Sequence, residues 1–483
     1  MFLYTPESVY QLDRAAVEQD GFSETELMQH AGARVWREVI FRWPSVSKVT
    51  IFAGSGNNGG DAFVVALCAR ASGVEIQMIT MGDLARQSDT AKFYKQKWLD
   101  GGGQFEPWDG QELEGEIVID GLLGIGIQRA LDEDWQSLIE CINQQDLPLV
   151  AIDIPSGLDG ATGNPQPITL ITDLTITFID VKTGHFLAQG QDHCGELVFD
   201  DLGISSAVRA GVSPALGEIE ECLLPAPRLR DSHKYDYGHV LIVGGNDGMT
   251  GAVSLAAKAA LRTGSGLVSA LVHPAGCHAL SVVPEVMTRS WDQLESLLPD
   301  ASVILVGPGL GHDESAQAIL SKITRASQPV IVDADALQPG FLKQLRSEQV
   351  IITPHPGEAA RLLGQTSAGI QQDRILSCRE LVEQFNCVAI LKGSGSLVGS
   401  SEAIEINLRG HAGMATAGMG DVLAGMVASL VGQGMDSYQA ARSAVLIHAL
   451  SAEHFAQGAD ISGLIASDVV DAIPQVIKNI KND

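Results

Sequence analysis

The 483-residue chain has few basic residues for its length. Lysine and arginine number 31 against 59 aspartates and glutamates, which gives a formal net charge of −28. A protein that binds a phosphate backbone needs a dense stripe of Lys and Arg. The balance therefore argues against a nucleic-acid partner. We interpret most of the acidity as a means of solubility, because net charge bears on solubility and not on fold.

The chain also lacks long apolar runs and paired cysteines. No segment reaches the roughly 18 consecutive apolar residues of a membrane span. Glu7, Asp13 and Glu18 stand where a signal peptide needs an uncharged apolar core, so we expect a cytoplasmic protein with no membrane partner. Seven cysteines without a C-x-x-C pair favour reduced thiols over a disulfide framework or a thiolate zinc site.

Apolar and glycine-rich sequence is abundant. A hydrophobic content of 45% with 52 glycines is typical of compact globular α/β proteins, and the length predicts two domains. Residues 211–230 contain three prolines and no sheet or helix period, so we place the boundary near 215–225. The predicted domains are residues 1–215 and 222–483.

Secondary-structure signals are clear in both halves. Thr5 before Pro6, and Ser23 with Glu26, predict the starts of two N-terminal helices. Apolar runs then alternate with helical stretches, which predicts parallel sheets with helices on both faces. The predicted strands are VTIFA (49–53), VEIQMIT (74–80), EIVID (116–120), PLVAIDI (148–154), DLTITFID (173–180), GHVLIVGG (238–245), GLVSALV (266–272), SVILVGPG (302–309), QPVIVDADAL (328–337), EQVIITPHPGE (348–358) and CVAILKGSGS (387–396).

Glycines, acids and a histidine follow the strands of the second half. Ligands bind outside the carboxyl ends of the strands in an open α/β sheet, so these clusters predict a ligand site, although any one of them is also an ordinary turn. There is no G-x-x-x-x-G-K-[ST] phosphate loop. Backbone amides of a glycine turn at a helix start can bind phosphate instead. The clusters are GGNDGMTGA (244–252), GPGLG (307–311), DADAL (333–337), TPHPGE (353–358), KGSGS (392–396) and GMGD (418–421).

These motifs, with HKYDYGHVLIVGG before them and in this order, resemble the ADP-dependent NAD(P)H-hydrate dehydratase family of the ribokinase-like superfamily. The likeness spans about residues 228–475. It implies a ribokinase-like α/β domain that transfers a phosphoryl group from ADP to the C6 hydroxyl of the hydrated nicotinamide ring. Loss of phosphate then gives NAD(P)H, with AMP and phosphate released. Tyr235 departs from the family, which has glycine there.

The resemblance also implies roles for single residues. Asp421 takes the hydroxyl proton, the amides of Gly418 to Gly420 stabilise the transferring phosphoryl group, and Mg²⁺ is expected to neutralise the diphosphate. Capping of a helix by Asp421, a loop cap by His355 and a solvated Lys392 remain the alternatives. The implied hydrate-binding residues are Ala252, Gly309, His355 and Asp421, and the implied nucleotide-binding residues are Lys392, Gly393, Ser394, Gly395, Ser396 and Gly420.

In the first half, GSGNNG (54–59) matches the G-x-G-x-x-G dinucleotide fingerprint. No acid ends the next strand, so the match is poor evidence for hydride chemistry. NNGGD (57–61), DGLLGIG (120–126), DIPSGLDG (153–160) and FIDVKTGHF (178–186) resemble the NAD(P)H-hydrate epimerase family over about residues 1–215, with Ala62 as a departure. The resemblance implies a Rossmann-like three-layer domain that interconverts the R and S hydrates at C6.

That interconversion needs an acid or a base near C6, for which Asp153 is the first candidate and Lys182 the second. The resemblance implies a K⁺ ion held by Asn58, Asp120 and Ser156, whose oxygen atoms are suitable ligands for a hard cation. The alternative is that these side chains only form Asx and Ser turns at the strand ends. A homo-oligomer is expected, with NAD(P)H hydrates and ADP as its small-molecule partners. The implied hydrate-binding residues are Asn57, Asn58, Gly59, Gly60, Asp61, Gly124, Ile125, Gly126, Ile127, Gln128, Arg129, Ala130 and Asp153.

Two other functions stay open from the sequence. The second half could be a small-molecule kinase of the ribokinase type that uses the same Asp421. Residues 1–215 could be a binding or oligomerisation module without catalysis. The preference for ADP or ATP, and for NADH or NADPH hydrate, is also open.

Overall fold

The computed structural model describes residues 1–127, 130–277, 279–346 and 349–482. The chain divides into two compact units, Phe2–Leu216 and Gly217–Asp483. The division lies within residues 211–230, but Leu216–Glu218 forms a strand there, where we predicted irregular linker. Among the described residues, no helix combines the length and hydrophobicity that crossing a lipid bilayer requires.

The N-terminal unit is built around a parallel sheet. Its strands are β2 (Lys48–Ala53), β3 (Glu75–Thr80), β4 (Glu106–Pro107), β5 (Ile117–Gly121), β6 (Leu149–Ile152), β7 (Leu174–Phe178) and β8 (Glu196–Asp200), preceded by a short strand β1 (Phe2–Leu3). In the described part of the chain, this sheet has seven strands in the order β4-β3-β2-β5-β6-β7-β8, all parallel to their neighbours. Ile51, Ile119 and Ile176 are fully buried in it, as a sheet covered on both faces requires.

Helices cover this sheet, and their starts follow the predicted signals. They are α1 (Pro6–Ala15), α2 (Glu24–Arg42), α3 (Asn57–Ala71), α4 (Asp89–Asp100), α5 (Glu133–Asn143), α6 (Gly190–Cys194) and α7 (Ser206–Ala210). The Thr5 side chain caps α1, and Ser23 with Glu26 forms the capping box of α2. Both predicted starts are therefore confirmed.

The C-terminal unit has a second, mixed sheet. Its strands are β9 (Leu216–Glu218), β10 (His239–Val243), β11 (Leu267–Val272), β12 (Met287–Ser290), β13 (Val303–Val306), β14 (Val330–Val332), β15 (Val350–Ile352), β16 (Val388–Leu391), β17 (Ser396–Gly399) and β18 (Ile404–Asn407). They lie in the order β12-β11-β10-β13-β14-β15-β16-β17-β18-β9. The strands from β12 to β16 are parallel to their neighbours, whereas β17 is antiparallel to both β16 and β18. The antiparallel pair is a difference from the predicted parallel sheet.

The helices of this unit pack against the sheet and against one another. They are α8 (Thr250–Thr263), α9 (Leu294–Leu297), α10 (Glu314–Ile323), α11 (Pro339–Leu342), α12 (Pro356–Leu363), α13 (Ser367–Gln372), α14 (Arg374–Phe385), α15 (Met419–Gly432), α16 (Ser437–Ala456) and α17 (Ala466–Ile480). Nearly all of α15 is buried, and a Cβ on its Gly425 would lie 2.2 Å from the Ala256 carbonyl oxygen of α8. The glycine therefore lets these two helices touch.

Both sheets reverse their strand order once. In the N-terminal unit the chain runs outward from β2 to β4 on one side and from β5 to β8 on the other, so the strand order reverses between β2 and β5. In the C-terminal unit the strand order reverses between β10 and β13. Crevices that bind ligands form at such switch points, outside the carboxyl ends of the strands. All eleven predicted strand segments contain a strand, so the two-domain α/β class is confirmed.

Candidate active sites

A cavity of about 460 Å³ lies at the N-terminal switch point. The segments that follow β2 and β5 line it, together with α1, α2 and the strand-end residues Asp153 and Lys182. Its position agrees with the rule for open α/β sheets.

Close backbone contacts explain two glycines of the segment that follows β2. A Cβ on Gly54 would lie 1.7 Å from the Leu122 carbonyl oxygen, and one on Gly59 would lie 2.1 Å from the Gly54 carbonyl oxygen. Gly56 is the N-cap of α3, and no described side chain caps this helix. The first amides of α3 are therefore available to an anion at the cavity.

Asn58, Asp120 and Ser156 meet behind this loop. The Ser156 hydroxyl donates to Asp120 Oδ1 at 2.6 Å, and the Ser156 amide donates to Oδ2 at 2.8 Å. Asn58 Nδ2 donates to the Leu123 carbonyl at 3.0 Å, while its buried Oδ1 has no hydrogen-bond partner among the described residues. Burial raises the pKa of Asp120 to about 6, although hydrogen bonds from Ser156 oppose the rise. A buried carboxylate beside an unpartnered amide oxygen is an oxygen donor set that a cation would complete.

Lys182 and Asp153 form a buried ion pair. Lys182 is 1% exposed and donates to Asp153 Oδ1, to the Thr177 hydroxyl at 2.9 Å and to the Phe178 carbonyl at 2.9 Å, which uses all three of its protons. The Thr177 hydroxyl and the Phe178 amide also donate to Asp153 Oδ1. No described residue donates to Oδ2, so this oxygen is the one that can exchange a proton.

Backbone conformation and His185 fix the position of Asp153. Its φ of 68° is uncommon for a residue other than glycine. His185 Nδ1 accepts the Lys182 amide at 3.3 Å, so its Nε2 carries the proton and donates to the Asp153 carbonyl at 3.0 Å. Burial and the charge of Lys182 lower the pKa of His185 to about 4. The ring is therefore a neutral support near pH 7.

Among the ionisable residues that line this cavity, sequence reasoning missed four: Tyr10 and Asp13 on α1, Glu24 on α2, and Asp132. Burial, and then the charge of Glu24, raises the pKa of Asp13. Burial, followed by the charges of Asp153 and Asp13, raises the pKa of Asp61 well above its usual range. The spacing of Tyr10 and Asp13, three residues apart on an amphipathic helix, was the signal that could have revealed them.

The other predicted hydrate residues divide into groups. Asn57, Gly124, Ile125, Gly126 and Ile127 line the cavity with Asn58 and Asp61. Gly59 and Gly60 are buried behind the lining, and Ala130 is exposed. Gln128 and Arg129 lie outside the described residues.

A second cavity, of about 390 Å³, lies at the carboxyl ends of β14, β15 and β16. Segments far apart in sequence meet there, as the strand-end rule predicts. The residues that line it are Asp333, Ala334, His355, Pro356, Lys392, Gly393, Gly420 and Asp421.

Asp421 is the third residue of α15, whose N-cap is Gly418 with a φ of 89°. Its carboxylate accepts no hydrogen bond from the described backbone, so the expectation of a capping hydrogen bond is wrong, although Asp421 does lie in the first turn, where the helix dipole favours an anion. Burial, and then the charge of Asp333, raises the pKa of Asp421 to about 7, although Lys392 opposes the rise. A carboxyl that ionises near neutral pH is suited to accept a proton.

Lys392 is held by carboxylates. Its Nζ lies 3.0 Å from Asp333 Oδ1 and 3.8 Å from Glu358 Oε2. Burial opposes its charge, but these two carboxylates outweigh burial and raise the pKa of Lys392. A Cβ on Gly420 would lie 3.1 Å from Nζ, so the ammonium faces the start of α15. This arrangement excludes the alternative of a solvated strand end.

His355 and the KGSGS loop complete the cavity. His355 is the N-cap of α12, where its Nδ1 accepts the Gly357 amide at 3.0 Å. The alternative role as a cap is therefore confirmed, and the ring lines the cavity as well. In the loop, which also contains Ser394 and Ser396, Gly393 and Gly395 have φ values of 144° and 63°, conformations that glycine adopts without strain.

Ala252 and Gly309 lie at the switch point between β10 and β13. Gly309 has a φ of 57°, and a Cβ on it would lie 2.5 Å from the Met249 carbonyl oxygen, just before α8. Ala252 is the third residue of α8. Neither is among the described residues that line the cavity near Asp421.

Comparison with known proteins identifies the family to which the whole chain belongs. Family profiles described as "NAD(P)H-hydrate dehydratase" and "YjeF-related protein N-terminus" match residues 240–475 and 24–184. The bifunctional NAD(P)H-hydrate repair enzyme Nnr of Coxiella burnetii is 36% identical over 97% of each chain, and that of Escherichia coli is 35% identical over 96% of this chain and 92% of that one. A solved ADP/ATP-dependent NAD(P)H-hydrate dehydratase from Bacillus subtilis, co-crystallised with ATP and Mg²⁺, is 31% identical over 53% of this chain and 95% of that one, with a TM-score of 0.49. The chain belongs to the bifunctional NAD(P)H-hydrate repair enzyme family.

Proposed function

We propose that this protein repairs hydrated NAD(P)H with two active sites on one chain. The N-terminal unit interconverts the R and S hydrates, and the C-terminal unit dehydrates the S form with ADP. The observation that carries the proposal is the carboxylate of Asp421, whose pKa is about 7 and which stands beside Lys392 at the start of α15. Relatives that match the full chain are named for repair of this substrate.

In the dehydratase site, Asp421 accepts the proton of the C6 hydroxyl. The hydroxyl oxygen then bonds to the β-phosphorus of ADP, the bond from that phosphorus to the bridging oxygen breaks, and AMP leaves. The first amides of α15 and Lys392 stabilise the negative charge on the transferring phosphoryl group. The electron pair of the ring nitrogen expels phosphate from C6, and loss of a proton from C5 then restores the C5–C6 double bond and neutralises the nitrogen.

Mg²⁺ fits this site because Asp333 and Asp421 present carboxylate oxygens to the same cavity, and Mg²⁺ prefers hard oxygen ligands shared with phosphates. When bound, the ion neutralises part of the diphosphate charge. Residues Lys392 to Ser396 and Gly420 hold the nucleotide in this proposal, and Ala252, Gly309 and His355 hold the hydrate.

In the epimerase site, Asp153 is the base. All three protons of Lys182 are donated to fixed acceptors, and Oδ2 of Asp153 is without a donor among the described residues. This geometry favours Asp153 over Lys182 as the group that exchanges a proton near C6. Lys182 then orients the Asp153 carboxylate through the hydrogen bond to Oδ1.

K⁺ fits the set of Asn58, Asp120 and Ser156. The orphaned Asn58 Oδ1 and the buried Asp120 carboxylate are oxygen donors of the kind that hard cations prefer. The ion would balance the charge of Asp120 and fix the segment after β5 beside the cavity.

The test uses separated R and S hydrates of NADH with the intact protein. We expect the wild type to convert both in the presence of ADP, with one AMP released for each NADH restored. Asp153→Asn should use only the S form, and Asp421→Asn should interconvert the hydrates without releasing AMP. The exposed residues Asp83 and Asp292 supply matched controls, since Asp83→Asn and Asp292→Asn should behave as wild type. A stable phosphorylated alcohol made from ATP would instead identify a kinase, and unchanged interconversion by Asp153→Asn would remove that residue from the mechanism.

A further inference from the structure

A buried arginine lies under the KGSGS loop. Arg374 is 2% exposed, and its guanidinium donates to the carbonyls of Leu391 at 3.3 Å, Lys392 at 3.4 Å and Gly395 at 3.2 Å. A fourth acceptor, Gln371 Oε1, lies at 2.8 Å. Three of these four acceptors belong to the end of β16 and the loop that follows it.

The charge of Arg374 has no carboxylate partner among the described residues. Burial lowers the pKa of Arg374 to about 10, so the side chain remains charged at neutral pH. It is also the first residue of α14, where the helix dipole disfavours a cation, and its Nε is buried without a described partner. A buried charge in an unfavourable place reduces stability, and such costs are typical of functional sites.

The shape of the loop depends on this side chain. A Cβ on Gly393 would lie 2.7 Å from Arg374 Nη1, so the backbone rests directly on the guanidinium. The arginine also draws three carbonyl oxygens toward itself. Because the carbonyl and the amide of a trans peptide group point in opposite directions, the positive ends of these groups face away from the arginine. Lys392 and Gly393 line the cavity.

We infer that Arg374 is a positioning residue for the nucleotide. It holds the KGSGS loop in the conformation that receives ADP, and the anionic diphosphate balances its charge. The inference rests on the proposed use of ADP at this site. Arg374 should therefore determine the affinity for ADP, with little effect on hydrate binding or on proton transfer to Asp421.

The experiment compares Arg374→Met and Arg374→Lys with Arg379→Met, an exposed position on the same helix. Calorimetry gives the Kd for ADP, and steady-state assays give kcat and the KM values for ADP and hydrate. We expect Arg374→Met to raise the Kd and KM for ADP by about 10- to 100-fold, the range for losing one charged hydrogen-bonding group. The KM for hydrate and kcat should stay within about threefold. Arg374→Lys should be intermediate, since an ammonium cannot reproduce the planar fork, and Arg379→Met should match wild type.

Epimerisation by the same preparations provides an internal standard for active protein. A wild-type Kd for ADP in both Arg374 variants would overturn the inference, and so would a loss confined to kcat or to thermal stability. If Arg374→Met does not fold, the Kd of Arg374→Lys decides. Failure of the wild type to release AMP from ADP with hydrate would overturn the proposed function, whereas the role of Arg374 is still decided by the Kd for ADP.

Discussion

Replacing Asp421 by asparagine separates two physical roles by the sign of the stability change. A carboxylate that only balances the helix dipole stabilises a first turn by about 0.3–1 kcal/mol, so its removal would destabilise the protein. A buried base acts in the opposite direction, because its ionised form is poorly solvated. The pKa of Asp421 is raised from 3.8 to about 7, first by burial and then by Asp333. At 1.36 kcal/mol per unit, ionisation costs the folded state at most about 4 kcal/mol above pH 7.

The pH dependence follows from that shift. The folded-state pKa of Asp421 lies above the unfolded value, so the stability of the wild type falls as pH rises from about 4 to about 7 and is level above this range. Asp421→Asn has no carboxyl group to ionise at this position, so its stability does not fall for this reason as pH rises. We expect the variant to be more stable at pH 8 by about 1–3 kcal/mol, after allowance for solvent screening, and to gain little near pH 4.

The same substitution removes the proton acceptor. We expect kcat for dehydration to fall about 10²- to 10⁴-fold. In the wild type, kcat/KM for dehydration should rise with pH through about 7, where Asp421 ionises. Lys392→Met should shift this rise of kcat/KM to higher pH, because Lys392 lowers the pKa of Asp421.

Two measurements check the prediction. Denaturant unfolding at pH 5 and pH 8 gives the free energy of unfolding, and the transition of the C-terminal unit is identified by its shift on addition of ADP. The gain of near-ultraviolet absorbance from NADH follows dehydration. Lower stability of Asp421→Asn at pH 8, or a wild-type rate that is flat between pH 5 and pH 8, would refute the reasoning.

Further predictions concern the N-terminal unit. Asp153→Asn should lower epimerisation at least about 10²-fold while dehydration of the S form continues, measured by chromatography of the hydrates; equal losses of both activities would contradict this. Replacing K⁺ by tetramethylammonium should slow epimerisation alone, and Asp120→Asn should abolish the response to K⁺. Gly59→Ala would place a Cβ 2.1 Å from the Gly54 carbonyl oxygen, so we expect a loss of more than about 2 kcal/mol in denaturant unfolding, and full stability would count against this packing. Burial lowers the pKa of His185 to about 4, so the unit should lose stability as pH falls from about 6.5 to 4, as acid unfolding followed by circular dichroism would show.

Position at a strand end made much of the C-terminal site predictable. The carboxyl ends of parallel strands meet at one edge of a sheet, so Asp333, His355 and Lys392 were expected near one another. The ion pair between Lys392 and Asp333 was not predictable, because it depends on side-chain positions that the strand pattern does not specify. The capping role of Asp421 was wrong because the helix begins two residues earlier, after Gly418.

The sequence patterns did not reveal residues that reach a site only through tertiary packing. Tyr10 and Asp13 of α1 line the N-terminal cavity, and a helical period does not say which part of the fold a helix will lie against. Arg374 follows Asp373, which caps α14, so the sequence there reads as an ordinary helix start. Its role depends on its being buried under a loop 18 residues further along the chain, a contact with Lys392 that no local pattern encodes.

An acidic chain that binds polyphosphates must concentrate positive potential at its sites. Both sites do this with groups that hardly change the net charge of −28. The helices that begin at the two cavities, α3 and α15, have the glycine N-caps Gly56 and Gly418, without side-chain caps among the described residues, so their amides can face an anion. Among the described residues, the cations at these sites are Lys182 in one unit and Arg374 in the other, which are both buried, together with the partly buried Lys392. Burial strengthens the field of each of them, because little water screens it. Binding of ADP should for that reason depend less on ionic strength than it would at a surface lined by exposed lysines.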